Sequence, residues 1–460
     1  MTPTGEENLS TGRGLFYIIL LLKWGTAHIM KSAQLLYSAL IRSFLKWIIL
    51  GSVVGIFAGS ASAIFLTSLE WVTDERLSHP WLLYLLPVGG ALISYLYLKL
   101  GKNSAKGNNL ILEQIHEGGN ETIPLRMAPL VLIGTLATHL FGGSAGREGT
   151  AIQMGGSLSE VFGKWIKADS VDRKILLMCG ISGGFGSVFG TPLAGTVFGL
   201  EVIAIGFISY EALIPCFTAS FVGHLVTTEL WGVQHMKYPV IDAPALSGMV
   251  VVKVVIAALL FTLVSILFSE LTHMMKKGFA FVFRNPVLKS AAGGLIIISL
   301  VMIVGSRDYL GLGLPLLHDA LHDDVSPFVF LWKLLFTSVT LGSGFQGGEV
   351  TPLFVIGATM GNALAGWLHL AAPFLAALGL IAVFCGATHT PIACFILGIE
   401  LFGSSPAIYM FMVCVITYVF SGYSGIYTSQ YIGISKSHHF IVPADSTLGE
   451  IRRKHKKDLP

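Results

Sequence analysis

The sequence predicts an all-α integral membrane protein built from two related sets of broken, tilted helices. Three observations carry that expectation: an apolar composition with little charge, apolar runs cut by glycine and proline, and an internal repeat that sets a glutamate in each cut.

Composition fixes the solvent. Of 460 residues, 53% are hydrophobic and 12% charged, about half the ~25% charge of a typical soluble domain. A spanning helix needs roughly 20 apolar residues, and residues 44–66, 81–100, 249–268 and 408–420 are candidates. Other runs, such as 176–189 and 378–388, are interrupted well below that length. Short interrupted runs predict tilted, re-entrant or half-crossing helices.

Charge places the ends. Arg13, Lys23, Lys31, Arg42 and Lys46 precede or open the first long run, and Arg452, Arg453, Lys454, Lys456 and Lys457 follow the last. Positive segments stay cytoplasmic, so both termini are expected inside, together with a loop holding Lys276, Lys277, Arg284 and Lys289. Asp308, Asp319, Asp323 and Asp324 suit the opposite side. Residues 15–22 are too short for a span and lack a clean cleavage site, which reads as a membrane-surface segment rather than a signal peptide. The net charge of +3 says nothing of nucleic acid.

Five cysteines, at 179, 216, 385, 394 and 414, fall in apolar runs without metal-ligand spacing. They are expected in the core, with no disulfide, zinc or cofactor.

The chain repeats itself. Gly146-Arg147-Glu148-Gly149-Thr150 aligns with 347–351, so that Glu148 meets Glu349 and Thr150 meets Thr351 (349 − 148 = 201). Thr191-Pro192-Leu193-Ala194 meets Thr390-Pro391-Ile392-Ala393 (390 − 191 = 199), and Gly199-Leu200-Glu201 meets Gly398-Ile399-Glu400. Each repeat, about 124–206 and 325–405, thus carries a glycine-rich break with a glutamate, an apolar helix, a second break with proline, and a helix bearing another glutamate. If an axis in the membrane plane relates the two, their breaks meet near the bilayer centre. Helix N-termini exposed there carry roughly half a positive charge each and suit an anion.

An ionisable group inside hydrocarbon costs at least about 2.5 kcal/mol and needs a partner or a task. Glu148 lies between glycines, in a loop where backbone N–H groups should converge. Its carboxylate would occupy the place an anion wants, and protonation would free that place. Glu201 and Glu400, at matched helix ends, suit a structural role, bonding backbone groups of a neighbouring break. Glu349 admits a second proton-binding or anion-contacting role, whereas His139 and His389 read as packed side chains.

These residues resemble the CLC family of chloride channels and anion/proton antiporters over residues 45–430. Gly146-Arg147-Glu148-Gly149-Thr150 looks like the family's gating-glutamate motif, Pro192-Leu193-Ala194-Gly195 opens a similar helix through Phe198 and Glu201, and Tyr427 resembles the tyrosine whose hydroxyl reaches the central anion. Where chloride-selective members carry a serine, this chain has Asn108 and Asn109, and its Gly348-Glu349-Val350-Thr351-Pro352 is similar to the fluoride/proton antiporter branch. That likeness implies Glu148 and Glu349 as gating and proton-transfer residues. It implies an anion site among Asn108, Asn109, Gly146, Arg147, Gly149, Val350, Thr351 and Tyr427. Val202 stands where many proton-coupled chloride exchangers have a second glutamate, which leaves Glu349 as the candidate for that task.

The resemblance further implies about 18 helices in two inverted repeats and a homodimer in the plasma or inner membrane. The expected parts are a cytoplasmic segment 1–43, a transport domain 44–440 and a basic cytoplasmic tail 441–460 too short for another domain. The expected function is proton-driven fluoride export. A chloride/proton antiporter or passive anion channel of the same family is the nearest alternative, and an intramembrane enzyme is a remote one, suggested by two Gly-x-Ser-x-Gly stretches around Ser144 and Ser182.

Overall fold

The computed structural model describes residues 7–117, 122–323, 325–437, 442–443 and 446–455. Two compact units are present, Met1–Leu50 and Gly51–Pro460, and both repeats lie in the second. Lys456, Lys457 and Asp324, expected on opposite faces, lie outside the described residues.

Seventeen α-helices occur among the described residues. In the first set are α1 (Glu7–Ser78), α2 (Leu86–Leu96), α3 (Asn108–Glu117), α4 (Met127–Leu140), α5 (Glu148–Trp165), α6 (Ser170–Phe189), α7 (Pro192–Glu201) and α8 (Leu213–Leu225). The second set comprises α9 (Gly248–Val282), α10 (Pro286–Val304), α11 (Leu314–His322), α12 (Val329–Gly342), α13 (Val350–Leu368), α14 (Ala372–Thr388), α15 (Pro391–Phe402) and α16 (Ala407–Phe420). Helix α17 (Leu448–His455) ends the order, and two short strands, β1 (Ala204–Ile205) and β2 (Tyr431–Ile432), pair in parallel.

Helix lengths repeat. Helices α4 to α8 have 14, 18, 20, 10 and 13 residues, and α12 to α16 have 14, 19, 17, 12 and 14. A 14-residue helix rises about 21 Å, short of the roughly 30 Å hydrocarbon core, so the breaks fall at membrane depth. Among the described residues six helical stretches are long and apolar enough to cross: Leu36–Ser78, Pro80–Lys106, Tyr210–Leu230, Gly248–Val282, Pro286–Val304 and Val350–Leu368.

Local chemistry sets the ends. Asp169 caps α6 by accepting from Asp172 N (2.8 Å), and α6 stops at Gly190 in the left-handed region. Both α7 and α15 open with proline at the first helical position, where the missing N–H costs nothing. Glycine lets matched helices touch in each half: a Cβ on Gly155 would lie 2.3 Å from Gly180 O, and one on Gly357 2.2 Å from Gly379 O.

One expectation is corrected. Lys276 and Lys277 are not in a loop, because α9 continues past its apolar stretch to Val282, and Lys289 lies in α10; of that group, Arg284 alone falls in the connection. The five cysteines are buried, as expected.

Candidate functional site

The first residue of α5 and the first residues of α13 face one another. Ahead of each helix the chain turns through glycines, and the two turns are joined by a reciprocal pair of bonds: Gly146 N to Gly348 O at 2.7 Å and Gly348 N to Gly146 O at 2.9 Å. The strands of that bridge run antiparallel, the relation that a two-fold axis between repeats requires.

Across the bridge the Glu148 carboxylate enters the start of α13. Its Oε1 accepts from Val350 N at 2.5 Å, and its Oε2 accepts from Thr351 N at 3.1 Å, Thr351 Oγ1 at 2.8 Å and Arg147 N at 3.0 Å. The side chain is fully buried. Backbone N–H groups at a helix start carry partial positive charge and hold a carboxylate well. The convergence expected of Glu148's own loop is therefore supplied mainly by the other repeat, because Gly146 and Gly348 leave room between the turns. A Cβ at Gly348 would lie 2.1 Å from Glu148 Oε1, and one at Gly146 2.6 Å from it.

Remaining candidate residues fall into two groups. Arg147 stands at the N-cap position of α5 without a side-chain capping bond, its guanidinium over the Phe189 ring at 5.8 Å. A Cβ at Gly149 would lie 3.2 Å from Asn108 Nδ2, which brings Asn108 to the edge of the cradle. Asn108, Asn109, Glu349 and Tyr427 line one cavity of about 470 Å³. Asn109 Oδ1 accepts from Ser429 N (3.0 Å), whereas Asn108 Oδ1 and the buried Tyr427 hydroxyl have no hydrogen-bond partner among the described residues. Tyr427 and Asn108 also border, with Phe198, a gap of about 10 Å³.

Glu201 and Glu400 lie one break further on and exchange partners. Glu201, at the end of α7, accepts from Ile392 N (3.1 Å) and Ala393 N (2.8 Å) at the start of α15. Glu400, in α15, accepts from Leu193 N (2.9 Å) and Ala194 N (2.7 Å) at the start of α7. Each acid bonds the backbone of the opposite break, the structural part their matched positions suggest.

The family model described as voltage gated chloride channel matches residues 89–422. The chain belongs to the CLC family. Among CLC proteins it is similar to one from Pseudomonas syringae pv. tomato named a chloride/fluoride channel protein, 45% identical over 416 residues that cover 89% of this chain and 91% of the relative. It is also similar to the solved structure of a CLC-type fluoride/proton antiporter, 35% identical, with a TM-score of 0.81 over 84% of this chain and 98% of that one. A slow cyanobacterial Cl−/H+ antiporter shares the fold at 21% identity, with a TM-score of 0.70 over 83% and 94% of the two chains.

A CLC protein is a multi-pass membrane channel or transporter, which removes the enzyme alternative. Both serines of the Gly-x-Ser-x-Gly stretches are packed into the bundle. Ser144 Oγ meets Thr337 Oγ1 at 2.9 Å and accepts from the buried Lys333 ammonium at 3.0 Å, while Ser182 Oγ donates to Thr196 O at 3.4 Å. Lys333 finds two more acceptors in Tyr309 O and Gly311 O, which satisfies a cation inside the fold.

Sequence reasoning missed several residues of the cavity. Gln153 is buried at 6% exposure, and its Oε1 has no partner among the described residues; it lines the cavity five residues after Glu148 on the same helix. Lys102, Lys106, Lys276 and Lys289 also line it. Gln153 was legible as a polar group in the apolar run after Glu148, whereas no pattern in the sequence gathers the four lysines.

Proposed function

We propose that the protein is a fluoride/proton antiporter that exports fluoride at the expense of the proton gradient. The observation that carries the reading is the buried Glu148 carboxylate, held by Val350 N, Thr351 N and Thr351 Oγ1.

Those donors recognise negative oxygen, and a small anion of like charge can use the same ones. While ionised, Glu148 competes for them. A proton on the carboxylate removes its charge and weakens charge-assisted bonds, so an anion can displace the side chain. The acid that leaves the cradle carries a proton, and coupling follows from the alternation. In this reading Asn108, Tyr427 and Glu349, which line one cavity, extend the path, and Glu349 passes the proton onward.

Fluoride is favoured over chloride by the donors themselves. The smallest halide holds water most strongly, and its dehydration must be offset by close hydroxyl and amide donors, such as Thr351 Oγ1 and the N–H groups of Val350 and Thr351. The relatives support the same choice, one named a chloride/fluoride channel protein and another a fluoride/proton antiporter. In this reading the chain works as a homodimer in the plasma or inner membrane, with both termini in the cytoplasm. Reconstitution in liposomes tests the mechanism: fluoride efflux should shift lumenal pH in step, and Glu148→Gln should abolish the proton flux. Proton coupling retained in Glu148→Gln would sink the scheme, and chloride outrunning fluoride would transfer it to the chloride/proton alternative.

A further inference from the structure

The 470 Å³ cavity adjoins a larger one of about 660 Å³, and Asn109, Lys276, Leu341, Glu349 and Ile426 belong to both walls. Part of the larger wall is the C-terminal segment, through Thr447, Gly449, Glu450, Arg452 and Arg453. That segment is docked rather than trailing. Leu448 N donates to Gln430 O (3.0 Å) and Gly449 N to Thr428 O (2.8 Å), so α17 starts on the backbone just beyond Tyr427. Leu448 and Ile451 pack in an apolar cluster with Ile205, Ile432 and Val442. Arg452 Nη2 meets Glu270 Oε2 at 2.6 Å, and the other oxygen of Glu270 accepts from Ser424 Oγ at 2.8 Å. Arg452 Nη1 is buried without a partner among the described residues.

Seven lysines and arginines face these two cavities against three glutamates. Positive charge fixed in a cleft with low-dielectric walls focuses the field and raises the local concentration of anions. Docking of α17 matters because it brings the arginines of a basic tail to the wall of a cavity that Glu349 also lines.

We propose that α17 is a wall of the transport path, and that Arg452 and Arg453 act with Lys276 as a cationic antechamber that collects small anions before they reach Glu349. The inference rests on the transport path assigned under Proposed function. Arg453 is exposed, and Arg453→Glu leaves the Arg452–Glu270 contact in place.

The test compares halide efflux from liposomes bearing the full chain at low and high ionic strength, set with an impermeant salt, for whichever halide the wild type moves. Screening lengths fall from about 30 Å at 0.01 M to about 3 Å at 1 M. Arg453→Glu should therefore slow efflux about three-fold or more at low ionic strength, and the gap should close at high ionic strength; Arg453→Lys should match the wild type throughout. Equal rates for Arg453→Glu and wild type at both strengths, or a slowing of the same size at both, would overturn the antechamber while leaving the antiporter reading intact. A wild type that moves no halide would overturn both.

Discussion

The Thr351 hydroxyl donates to Glu148 Oε2 at 2.8 Å across 203 positions of sequence, so a side chain of the second repeat holds the acid of the first. Thr351→Val keeps the shape and both backbone donors but removes that hydroxyl. A charge-assisted bond contributes about 1.5–3 kcal/mol, so fluoride efflux from liposomes should fall roughly ten-fold or more, while Thr351→Ser should stay near wild type. Unchanged efflux in Thr351→Val would remove the hydroxyl from the anion's path.

Gly348→Ala probes the room left for the carboxylate. The added methyl would lie 2.1 Å from Glu148 Oε1, closer than any real contact allows. The side chain must then leave the start of α13 and forfeit its three donors there. Efflux assays with a lumenal pH probe should report protons carried per fluoride at less than half the wild-type value, in protein that still purifies as a folded species. A normal ratio would mean that the carboxylate works from somewhere else.

Tyr427→Phe separates stability from binding. Its hydroxyl is buried without a partner among the described residues, and deleting an unsatisfied group costs the fold nothing and can help it. Thermal melting in detergent without halide should match or exceed wild type, while fluoride affinity by calorimetry should drop about five-fold or more, the loss of one hydrogen bond. A lower melting temperature with unchanged affinity would reverse the assignment.

Glu201→Gln and Glu400→Gln test the crossed caps. A glutamine offers one acceptor where the carboxylate offers two, and it turns an NH₂ toward the second backbone donor. Each substitution should destabilise the fold by about 1–3 kcal/mol, visible as a lower melting temperature, with coupling in the surviving protein unchanged. Loss of coupling at normal stability would make either acid a proton carrier.

Legibility in the sequence followed the range of the interaction. The repeat, the breaks and the acids within them were readable because each is a local pattern of glycine, proline and charge that recurs about 200 positions later. Glu148 and Thr351 could each be singled out that way. Their mutual bond could not, because it depends on how the two repeats are folded against one another. The same limit hid the docking of α17: basic residues after the last apolar run read as a short basic tail, and Leu448 and Ile451 give it an apolar underside that has meaning only beside Ile205 and Ile432. Lys276 was misplaced for a simpler reason. Apolar run length was used as helix length, and α9 continues for a further 14 residues (282 − 268) beyond the apolar run.

The reciprocal pairing of Gly146 with Gly348, and of Glu201 and Glu400 with each other's helix starts, leaves neither repeat able to finish its own backbone bonding. A fragment ending in the coil between Trp231 and Ser247 would expose unpaired amides at two helix starts. It would be rescued by the complementary fragment or by an upside-down copy of itself. Co-expressed halves should therefore reassemble.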